Sequence, residues 1–316
     1  MKAGTLEETD LLAAHTARVR ARNRVPLPPE AVEAGGLPVA DASPADRQHL
    51  AASLAEDFLP LDLDIPGMKV LNLDPFIAVV EDFLPPEDCD ALLRAAKNSG
   101  EMKPSRAAGD TTGEIRNSTS LACTTATLTT QPALAKQILA LLDRAKKLLA
   151  APESRWQPHA TGFRPPAGAG RLAFELPQVA HYTEGQHFLA HEDAFPLDVA
   201  AKKRYQRIGT LLVYLNDVAE GGATRFDLLG LQVEPKRGRA CIFFPAFSSG
   251  LNDPRTVHTA VDAVDEKWVS QTWISMGLAP QPKEEPLAAE SISRKRQGKK
   301  ASGGKKGKKP KGGFGG

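Results

Sequence analysis

Cysteine is scarce in this sequence, and long apolar runs are missing. The three cysteines, Cys89, Cys123 and Cys241, are far apart and form no Cys-x-x-Cys pair. This spacing indicates neither a zinc site nor a disulfide framework and favours a reducing compartment. No apolar run reaches about 18 residues, so we expect no membrane insertion. The first residues lack the apolar segment of a secretory signal, which predicts a cytoplasmic or nuclear protein.

Several well-known ligand-binding motifs are also missing. The sequence contains no Gly-x-Gly-x-x-Gly, no Walker A and no Gly-x-Ser-x-Gly pattern, which gives no support for a nucleotide-binding or serine-hydrolase function. The net charge is only +2, so the composition as a whole does not predict nucleic-acid binding. The apolar fraction of 41% is ordinary for a folded protein and is sufficient for a sizeable core.

Composition divides the chain into three parts. Residues 1–68 are rich in Ala, Pro, Glu and Asp and are expected to be a partly ordered N-terminal extension. Residues 69–280 form the expected folded domain. Residues 281–316 are a Lys/Gly-rich basic tail that cannot bury apolar surface and is expected to be disordered. The charge of this tail suits contact with polyanions, and a merely solubilising tail is the alternative.

The first half of the expected domain carries two helical patterns. Pro85 and Pro86 open the first, and early acidic residues fit the helix dipole. The second runs from Pro132 to Leu149, with its apolar residues at helical spacing. The expected core face of this second helix consists of Leu134, Ile138, Leu141, Leu142 and Leu149.

From Leu176 onward the pattern changes to short β-prone runs separated by glycine-containing turns. The runs are Gln178 to Tyr182, Ile208 to Leu215, Arg239 to Phe244, Thr256 to Val261 and Lys267 to Ile274. Two helices followed by many short strands predict an α+β fold that is mainly β: an antiparallel barrel or jelly roll over residues 176–277, braced by N-terminal helices.

The residues most suggestive of chemistry are two histidines and an aspartate. In a strand, residues i and i+2 point to the same face, so His191 and Asp193 would present an imidazole and a carboxylate side by side. His258, from another predicted strand, completes the set. Two His and one carboxylate on one face of a metal are the ligands of non-heme Fe(II) oxygenases and leave positions open for substrate and oxygen.

The open positions on such a metal suit 2-oxoglutarate as a cosubstrate. The far carboxylate of 2-oxoglutarate needs a fixed cation, and Lys267 is a compact charge suited to that task. Tyr182 and Thr224 are hydroxyl donors able to share the same carboxylate. We therefore expect these three residues to bind the cosubstrate.

The motifs resemble the catalytic domain of prolyl 4-hydroxylases, which are Fe(II)/2-oxoglutarate dioxygenases with a double-stranded β-helix. The resemblance covers about residues 70–280. It rests on His191-x-Asp193, Thr210 to Val218, Glu220-Gly221-Gly222-Ala223-Thr224-Arg225-Phe226, Pro235 to Ala240, His258 and Lys267 to Trp273. The step from His258 to Lys267 is one residue shorter than in collagen-type members of the family.

This resemblance assigns roles residue by residue. It implies that His191, Asp193 and His258 bind iron, and that Lys267, Tyr182 and Thr224 bind 2-oxoglutarate. It also implies that Trp273 lines the pocket and that Arg207 is associated with a peptide substrate. These two substrate residues and the six preceding ones are the candidate site.

The implied activity is hydroxylation of proline in a protein or peptide, with release of succinate and CO2 and with L-ascorbate as an expected cofactor. Two alternatives stay open. One is a dioxygenase that acts on another residue or on a small molecule. The other is a non-catalytic β-barrel module that binds its partner through the basic tail.

Overall fold

The computed structural model describes residues 35–107 and 112–279. The expected basic tail and the first 34 residues lie outside these described ranges. Within them, five α-helices and three short 3-10 helices (Val39–Asp41, Glu153–Arg155 and Pro254–Thr256) are found. The α-helices are α1 (Pro44–Asp57), α2 (Pro86–Asn98), α3 (Thr125–Thr130), α4 (Pro132–Leu148) and α5 (Leu197–Lys203).

The strands of the described residues fall into two antiparallel sheets. In chain order they are β1 (Leu37–Pro38), β2 (Met68–Leu73), β3 (Phe76–Val80), β4 (Lys103–Pro104), β5 (Thr119–Ala122), β6 (Leu172–Phe174), β7 (Gln178–Tyr182), β8 (Phe188–His191), β9 (Tyr205–Tyr214), β10 (Thr224–Phe226), β11 (Leu231–Val233), β12 (Ala240–Phe243), β13 (His258–Ala260) and β14 (Lys267–Gly277).

The strand order is that of a double-stranded β-helix. The larger sheet runs β1-β2-β3-β12-β9-β14-β7-β5-β4, with β6 on β14, and the smaller sheet runs β11-β10-β13-β8. From β7 to β14 the chain therefore crosses repeatedly between the two sheets. Four strands of each sheet make up the jelly roll, and the remaining strands extend the larger sheet at both edges. The predicted mainly β fold with flanking helices is confirmed.

Alternating residues of the larger sheet face two separate apolar cores. In β3, Ile77 and Val79 pack between the two sheets, whereas Ala78 and Val80 pack against the helices. This alternation follows from the pleat of the strand, which sends successive side chains to opposite faces. The inner core between the sheets is the one that surrounds the site described below.

Helices α2 and α4 cover the outer face of the larger sheet. The predicted start of α2 at Pro86 is confirmed, and Leu92 and Ala96 are buried against the sheet. Helix α4 buries the predicted stripe, and Leu149 caps the end of the helix and is also buried. Each fully buried leucine stabilises the fold by about 1.5–3 kcal/mol relative to an exposed one. The helices therefore hold the sheet rigid behind the site.

Residues upstream of the expected domain start at position 69 also pack into the outer core. Ser43 caps α1 by accepting a hydrogen bond from the backbone N–H of Asp46. Just after this helix, the ring of Phe58 stacks on those of Phe244 and Phe247, with centroid distances of 5.0 and 5.2 Å. The body of the fold thus extends into the part of the chain that composition assigned to the extension.

The expectation of no membrane insertion has one structural counterpart. Among the described residues, none of the helices has the length and apolar character needed to cross a membrane.

Candidate metal centre and cosubstrate pocket

The fold brings the two predicted imidazole ligands directly opposite each other. His191 is the last residue of β8 and His258 the first of β13, and the two are partners in the strand register. Asp193 follows two residues after His191. One ligand atom from each of the three residues lies within 4.8 Å of the other two. This is the spacing of groups that share a single metal ion.

Asp193 does not lie in a strand as expected. Strand β8 ends at His191, and Asp193 occupies the bend that follows. The expected placement of Asp193 in a strand was therefore wrong, because the pairing of β8 with β13 stops at the His191–His258 pair. The carboxylate still reaches the imidazoles: Oδ1 lies 3.9 Å from His191 Nε2, and Oδ2 lies 3.7 Å from His258 Nε2.

Backbone carbonyls orient both imidazole rings. Nδ1 of His191 lies 2.8 Å from the carbonyl oxygen of Leu189, and Nδ1 of His258 lies 3.1 Å from that of Thr256. Since a carbonyl can only accept, each Nδ1 carries the proton and donates it, which leaves the lone pair on Nε2. Both Nε2 atoms face Asp193. This carbonyl-to-imidazole arrangement is typical of histidines that bind metals.

The charge states of His191 and Asp193 also suit a metal. Burial, followed by the neighbouring His258, lowers the pKa of His191, so its ring is neutral at physiological pH. Burial opposes ionisation of Asp193, but His258, His191 and the hydroxyl of Thr210 outweigh it and lower the pKa of the carboxyl group. A neutral imidazole at His191 beside an ionised carboxylate at Asp193 results.

A buried atom without a partner tests whether a metal fits here. Nε2 of His191 is buried and has no hydrogen-bond partner among the described residues. Leaving such an acceptor empty is costly, and a metal ion on the same side as Asp193 and His258 would satisfy it. Two imidazoles and a carboxylate are the donor set that Fe(II) takes in oxygenases, so the residues present fit iron.

Two residues that sequence reasoning missed hold the Asp193 carboxylate. The hydroxyl of Thr210, in β9, donates to Oδ2 at 2.8 Å, and the amide of Gln271, in β14, donates to Oδ1 at 3.3 Å. Both come from central strands of the larger sheet. Gln271 follows Lys267 by four residues in one strand, so strict alternation from the predicted anchor pointed to it.

The predicted cosubstrate residues line the same cavity as the histidines. Tyr182, Thr224 and Lys267 border a cavity that also touches His191 and His258. Tyr182 and Lys267 are direct partners in the register of β7 with β14. Five of the six predicted iron and 2-oxoglutarate residues therefore share one cavity, and Asp193 lies beside it through its hydrogen bond with Gln271, another lining residue.

Lys267 is a fully enclosed cation. Its side chain is 1% exposed, and Nζ lies 5.1 Å from the centre of the Tyr182 ring and 5.8 Å from that of the Tyr214 ring. Nζ also donates to the carbonyl oxygen of Gly222. Burial lowers the pKa of Lys267 to about 7. A dianionic ligand that reached this end of the cavity would place a negatively charged partner beside the ammonium group of Lys267.

Gly222 is required where it stands. Its φ of +69° is in the left-handed region, and a Cβ there would lie 3.1 Å from Cδ of Lys267. A larger residue would press on the lysine side chain.

Tyr214 is a further residue that sequence reasoning missed. It is fully buried in β9, and its hydroxyl donates to the hydroxyl oxygen of Thr224 at 2.8 Å. Burial raises the pKa of Tyr214, which keeps its proton in place for that bond. Because Thr224 accepts from Tyr214, the hydrogen of its own hydroxyl is directed elsewhere and is free to donate into the cavity.

Arg207 and Trp273 lie in a neighbouring groove. The guanidinium of Arg207 is paired in bidentate fashion with Glu175, at 2.8 and 2.7 Å, and lies 3.7 Å from the centre of the Trp273 ring. The groove has a volume of about 480 Å³. Its lining includes Thr124, Thr125, Phe163, Glu175, Gln178, Arg207 and Trp273.

Strand register joins this groove to the metal centre. Gln178 of the groove is the cross-strand partner of Gln271, and Trp273 is the partner of Thr210. Gln271 and Thr210 are the two hydrogen-bond donors to Asp193. The groove therefore begins at residues that are cross-strand partners of the two residues that hold the Asp193 carboxylate.

Residues 177–275 match the family model of the 2OG-Fe(II) oxygenase superfamily. The matched range contains the His191, Asp193 and His258 cluster, the enclosed Lys267 and all of the jelly-roll strands except the last two residues of β14. This chain contains a 2OG-Fe(II) oxygenase domain and is similar to prolyl 4-hydroxylases. Its cofactors are accordingly Fe(II) and 2-oxoglutarate, and its predicted enzyme class, a 2-oxoglutarate-dependent dioxygenase, is confirmed.

Curated relatives carry the prolyl 4-hydroxylase name. Prolyl 4-hydroxylase 1 of Arabidopsis thaliana is 28% identical over 225 residues, which cover 65% of this chain and 71% of that protein. Prolyl 4-hydroxylase subunit alpha-2 of Gallus gallus is 41% identical over 102 residues, but these cover 31% of this chain and only 19% of that protein. The match with the avian subunit is thus confined to a short part of a longer protein.

Solved structures of prolyl hydroxylases are also similar to this chain. The viral collagen prolyl hydroxylase of Paramecium Bursaria Chlorella virus-1, in complex with 2OG, is 24% identical, with a TM-score of 0.47 and coverage of 63% of this chain and 95% of that chain. A prolyl-4-hydroxylase of Pseudomonas putida is 18% identical, with a TM-score of 0.44 and coverage of 71% and 96%.

Proposed function

We propose that this dioxygenase hydroxylates proline residues in a protein or peptide. One molecule each of oxygen, 2-oxoglutarate and substrate gives succinate, CO2 and the hydroxylated proline, so that one oxygen atom enters succinate and the other enters the substrate. The observation that carries the proposal is the placement of a peptide-sized groove beside a cavity that joins paired histidines to an enclosed lysine. The names of the curated relatives agree with it.

The roles of the site residues belong to this proposal. His191, Asp193 and His258 would hold Fe(II), which supplies oxygen activation when bound. Lys267 would pair with the far carboxylate of 2-oxoglutarate, with hydrogen bonds from Tyr182 and Thr224. The walls of the cavity, such as Leu212 and Val269, exclude water around these groups. Charge-assisted contacts are stronger in such an enclosed site than in water.

The groove offers one donor and one acceptor for a peptide backbone. Nε1 of Trp273 and Oε1 of Gln178 are buried and have no hydrogen-bond partner among the described residues. A backbone carbonyl of a bound peptide would accept from Trp273, and a backbone N–H would donate to Gln178. Such a pair suits an extended peptide, which presents both groups to the side.

Proline itself cannot satisfy Gln178, because it has no backbone N–H. The residue that faces Gln178 must therefore be a different one, placed next to the reacting proline. Peptides that alternate proline with another residue should be better substrates than poly-proline. Their proline content still favours the extended conformation, so that ordering them on the enzyme costs little.

Arg207 is proposed as a support of the groove rather than as a free cation. Its charge is already paired with Glu175, and its flat face lies against Trp273 and, at 4.7 Å, against Phe195. An arginine held in this way fixes the orientation of the indole. The substrate role of Arg207 would then be exerted through Trp273.

The remaining predictions extend this proposal. L-ascorbate is expected to sustain turnover by reducing iron that oxidises without substrate. Residues 69–280 are proposed as the catalytic domain with its core at 176–277, preceded by the extension at 1–68. The basic tail at 281–316 is proposed to contact polyanions, and the compartment to be the cytoplasm or the nucleus.

The test offers alternating Ala-Pro peptides, poly-proline and a proline-free peptide to the purified protein with iron, ascorbate and 2-oxoglutarate. We expect hydroxyproline by mass spectrometry in the alternating peptide, less in poly-proline, and none with His258→Ala. Succinate formed with a small molecule or another residue, with no peptide hydroxylated at proline, would refute the prolyl assignment and leave the dioxygenase class in place.

A further inference from the structure

The carboxylate of the metal centre sits on a segment that no strand supports directly. His191 and His258 belong to paired strands, whereas Asp193 lies in the bend after β8. A metal ligand has to be held to within a fraction of an ångström of its working position. The hydrogen bonds from Thr210 and Gln271 hold the carboxylate itself, but the backbone that carries it needs its own support.

That support comes from the side chain of Gln206, near the start of β9. This residue is 0% exposed. Its Oε1 accepts from the backbone N–H of Phe195 at 2.8 Å, and its Nε2 donates to the carbonyl oxygen of the same residue at 2.9 Å. One primary amide thus pairs with both backbone groups of Phe195, as a neighbouring strand would.

The same amide also reaches the other flank of Asp193. Nε2 of Gln206 lies 3.1 Å from Oδ1 of Asn252, and Nδ2 of Asn252 donates to the carboxylate of Glu192 at 2.9 Å. Glu192 precedes Asp193 by one residue and Phe195 follows it by two. Both ends of the bend are therefore fastened to a single buried side chain.

Gln206 has no spare hydrogen-bonding capacity. Its Oε1 also accepts from the backbone N–H of Arg207 at 2.9 Å, and Nε2 lies 3.3 Å from the carbonyl oxygen of Gly250. A buried amide that meets this many partners is fixed in one orientation, because any rotation would leave several polar groups unpaired. Gln206 does not line the metal cavity or the adjoining groove.

We propose that Gln206 is a positioning residue for the metal ligand Asp193. Its amide replaces the missing strand ladder and fixes the backbone of residues 192–195, while Thr210, four residues further along β9, fixes the carboxylate. The inference rests on the proposed role of Asp193 as an iron ligand. It predicts that removing the amide weakens metal binding even though Gln206 touches no ligand atom.

The test compares wild-type protein with Gln206→Met, which has a similar length and lacks the amide. Co(II) is titrated into metal-free protein and followed by its visible absorption. We expect cobalt affinity to fall about 10- to 100-fold, the range found when supporting partners of metal ligands are removed. Amide hydrogen exchange of residues 192–195 in the metal-free protein should be faster in the variant, which gives a readout independent of metal and activity.

Further variants separate positioning from a general loss of stability. Ile138→Ala removes a buried side chain of α4 and should lower the melting temperature while leaving cobalt affinity unchanged. Glu192→Ala should weaken cobalt binding, and Glu192→Gln, which keeps an acceptor for Asn252, should restore it. If Gln206→Met fails to fold, Asn252→Ala carries the test, with a smaller loss in the same direction.

Two results would overturn the inference. Gln206→Met with wild-type cobalt affinity and unchanged exchange at residues 192–195 would show that the amide does not position the bend. A wild-type protein that binds no cobalt at these residues would refute the metal assignment and the positioning role with it. Failure of every peptide to be hydroxylated, with cobalt binding intact, would affect only the proposed substrate.

Discussion

At the scale of single residues, Lys267 gives the clearest prediction, because its amino group is enclosed almost completely by protein. Replacing it with Ala should weaken the apparent affinity for 2-oxoglutarate about ten- to hundredfold, through loss of a charge-assisted contact of about 1.5–3 kcal/mol. Iron binding should survive, since Lys267 is not one of the three clustered residues proposed to hold the metal. The measurement is the Michaelis constant for 2-oxoglutarate.

The matched control is Lys202→Ala, which removes a lysine that is 77% exposed on α5. This substitution should leave the Michaelis constant for 2-oxoglutarate unchanged. An equal effect of both substitutions, or no effect of Lys267→Ala, would place the anchor at another residue.

The protonation of Lys267 predicts how cosubstrate binding depends on pH. Burial lowers its pKa to about 7, so that above this pH the lysine is neutral in the protein without cosubstrate. A carboxylate placed against Nζ favours the charged form and raises the pKa again. Binding of 2-oxoglutarate at pH 8 should therefore take up close to one proton, and affinity should fall as the pH rises above 7.

Calorimetry in two buffers of different ionisation enthalpy measures that proton uptake. At pH 6 the lysine is already charged and the expected uptake is near zero. Uptake that is equal at pH 6 and pH 8, or absent at both, would contradict the account. Lys267→Ala should abolish the difference between the two values.

At the scale of secondary structure elements, the sequence predicted best those helices and strands that are long enough to show a residue pattern and that bury apolar side chains. The stripe of α4 was visible because the helix period places apolar residues at fixed spacings, and β14 was visible as a β-prone run. Strands β10 and β11 were not predicted as separate strands, since each has only three residues. So short a run carries too little pattern to be distinguished from a loop.

In the candidate site, too, some residues could be predicted from the sequence and others could not. Residue types and spacing indicated His191, Asp193, His258 and Lys267, of which all but Asp193 lie on strands. They did not indicate Gln206 or Asn252, which act on a bend through contacts between segments distant in sequence. Such contacts depend on the tertiary fold, and nothing in a local window of sequence encodes them.

The segment that joins α1 to the sheet gives a prediction at this scale. Phe58 is 3% exposed and stacks on two phenylalanines of the 243–247 region. Phe58→Ala should destabilise the protein by about 3–5 kcal/mol, the usual range for a buried phenylalanine. Chemical denaturation measures the loss, and the cobalt affinity of the folded protein should stay at the wild-type value.

The contrasting result would be a stability change below about 0.5 kcal/mol, as for an ordinary surface substitution. It would mean that residues before position 69 are an accessory extension, as their composition suggested. The matched control is Leu228→Ala, since Leu228 is 67% exposed and its loss should not affect stability.

At the scale of the whole molecule, catalysis and any contact with polyanions are expected to be separable. The sequence after Pro282 is rich in Lys and Gly and has few apolar residues, so it lacks the means to contribute to a core. Truncation after Pro282 should leave the melting temperature and succinate formation unchanged. Salt-sensitive binding to a polyanion such as heparin should be lost, as measured by retention at increasing ionic strength.

Loss of stability or of turnover on this truncation would show that the tail belongs to the catalytic domain. Equal retention of the full-length and truncated proteins on heparin would contradict the proposed contact of the tail with polyanions. Replacing the lysines of the tail with glutamine keeps its length and serves as the control for charge.

The central claim is that His191, Asp193 and His258 form one iron centre that couples oxidation of 2-oxoglutarate to insertion of oxygen into a substrate. The most direct measurement uses oxygen-18 gas with wild-type protein, iron, 2-oxoglutarate and the alternating Ala-Pro peptide, beside His191→Ala, Asp193→Ala and His258→Ala. The account predicts one labelled oxygen in succinate and one in the product for each turnover of wild type. It predicts neither product from the three variants, although all remain folded. A folded variant that keeps most of the wild-type rate, with iron content unchanged, would contradict the account.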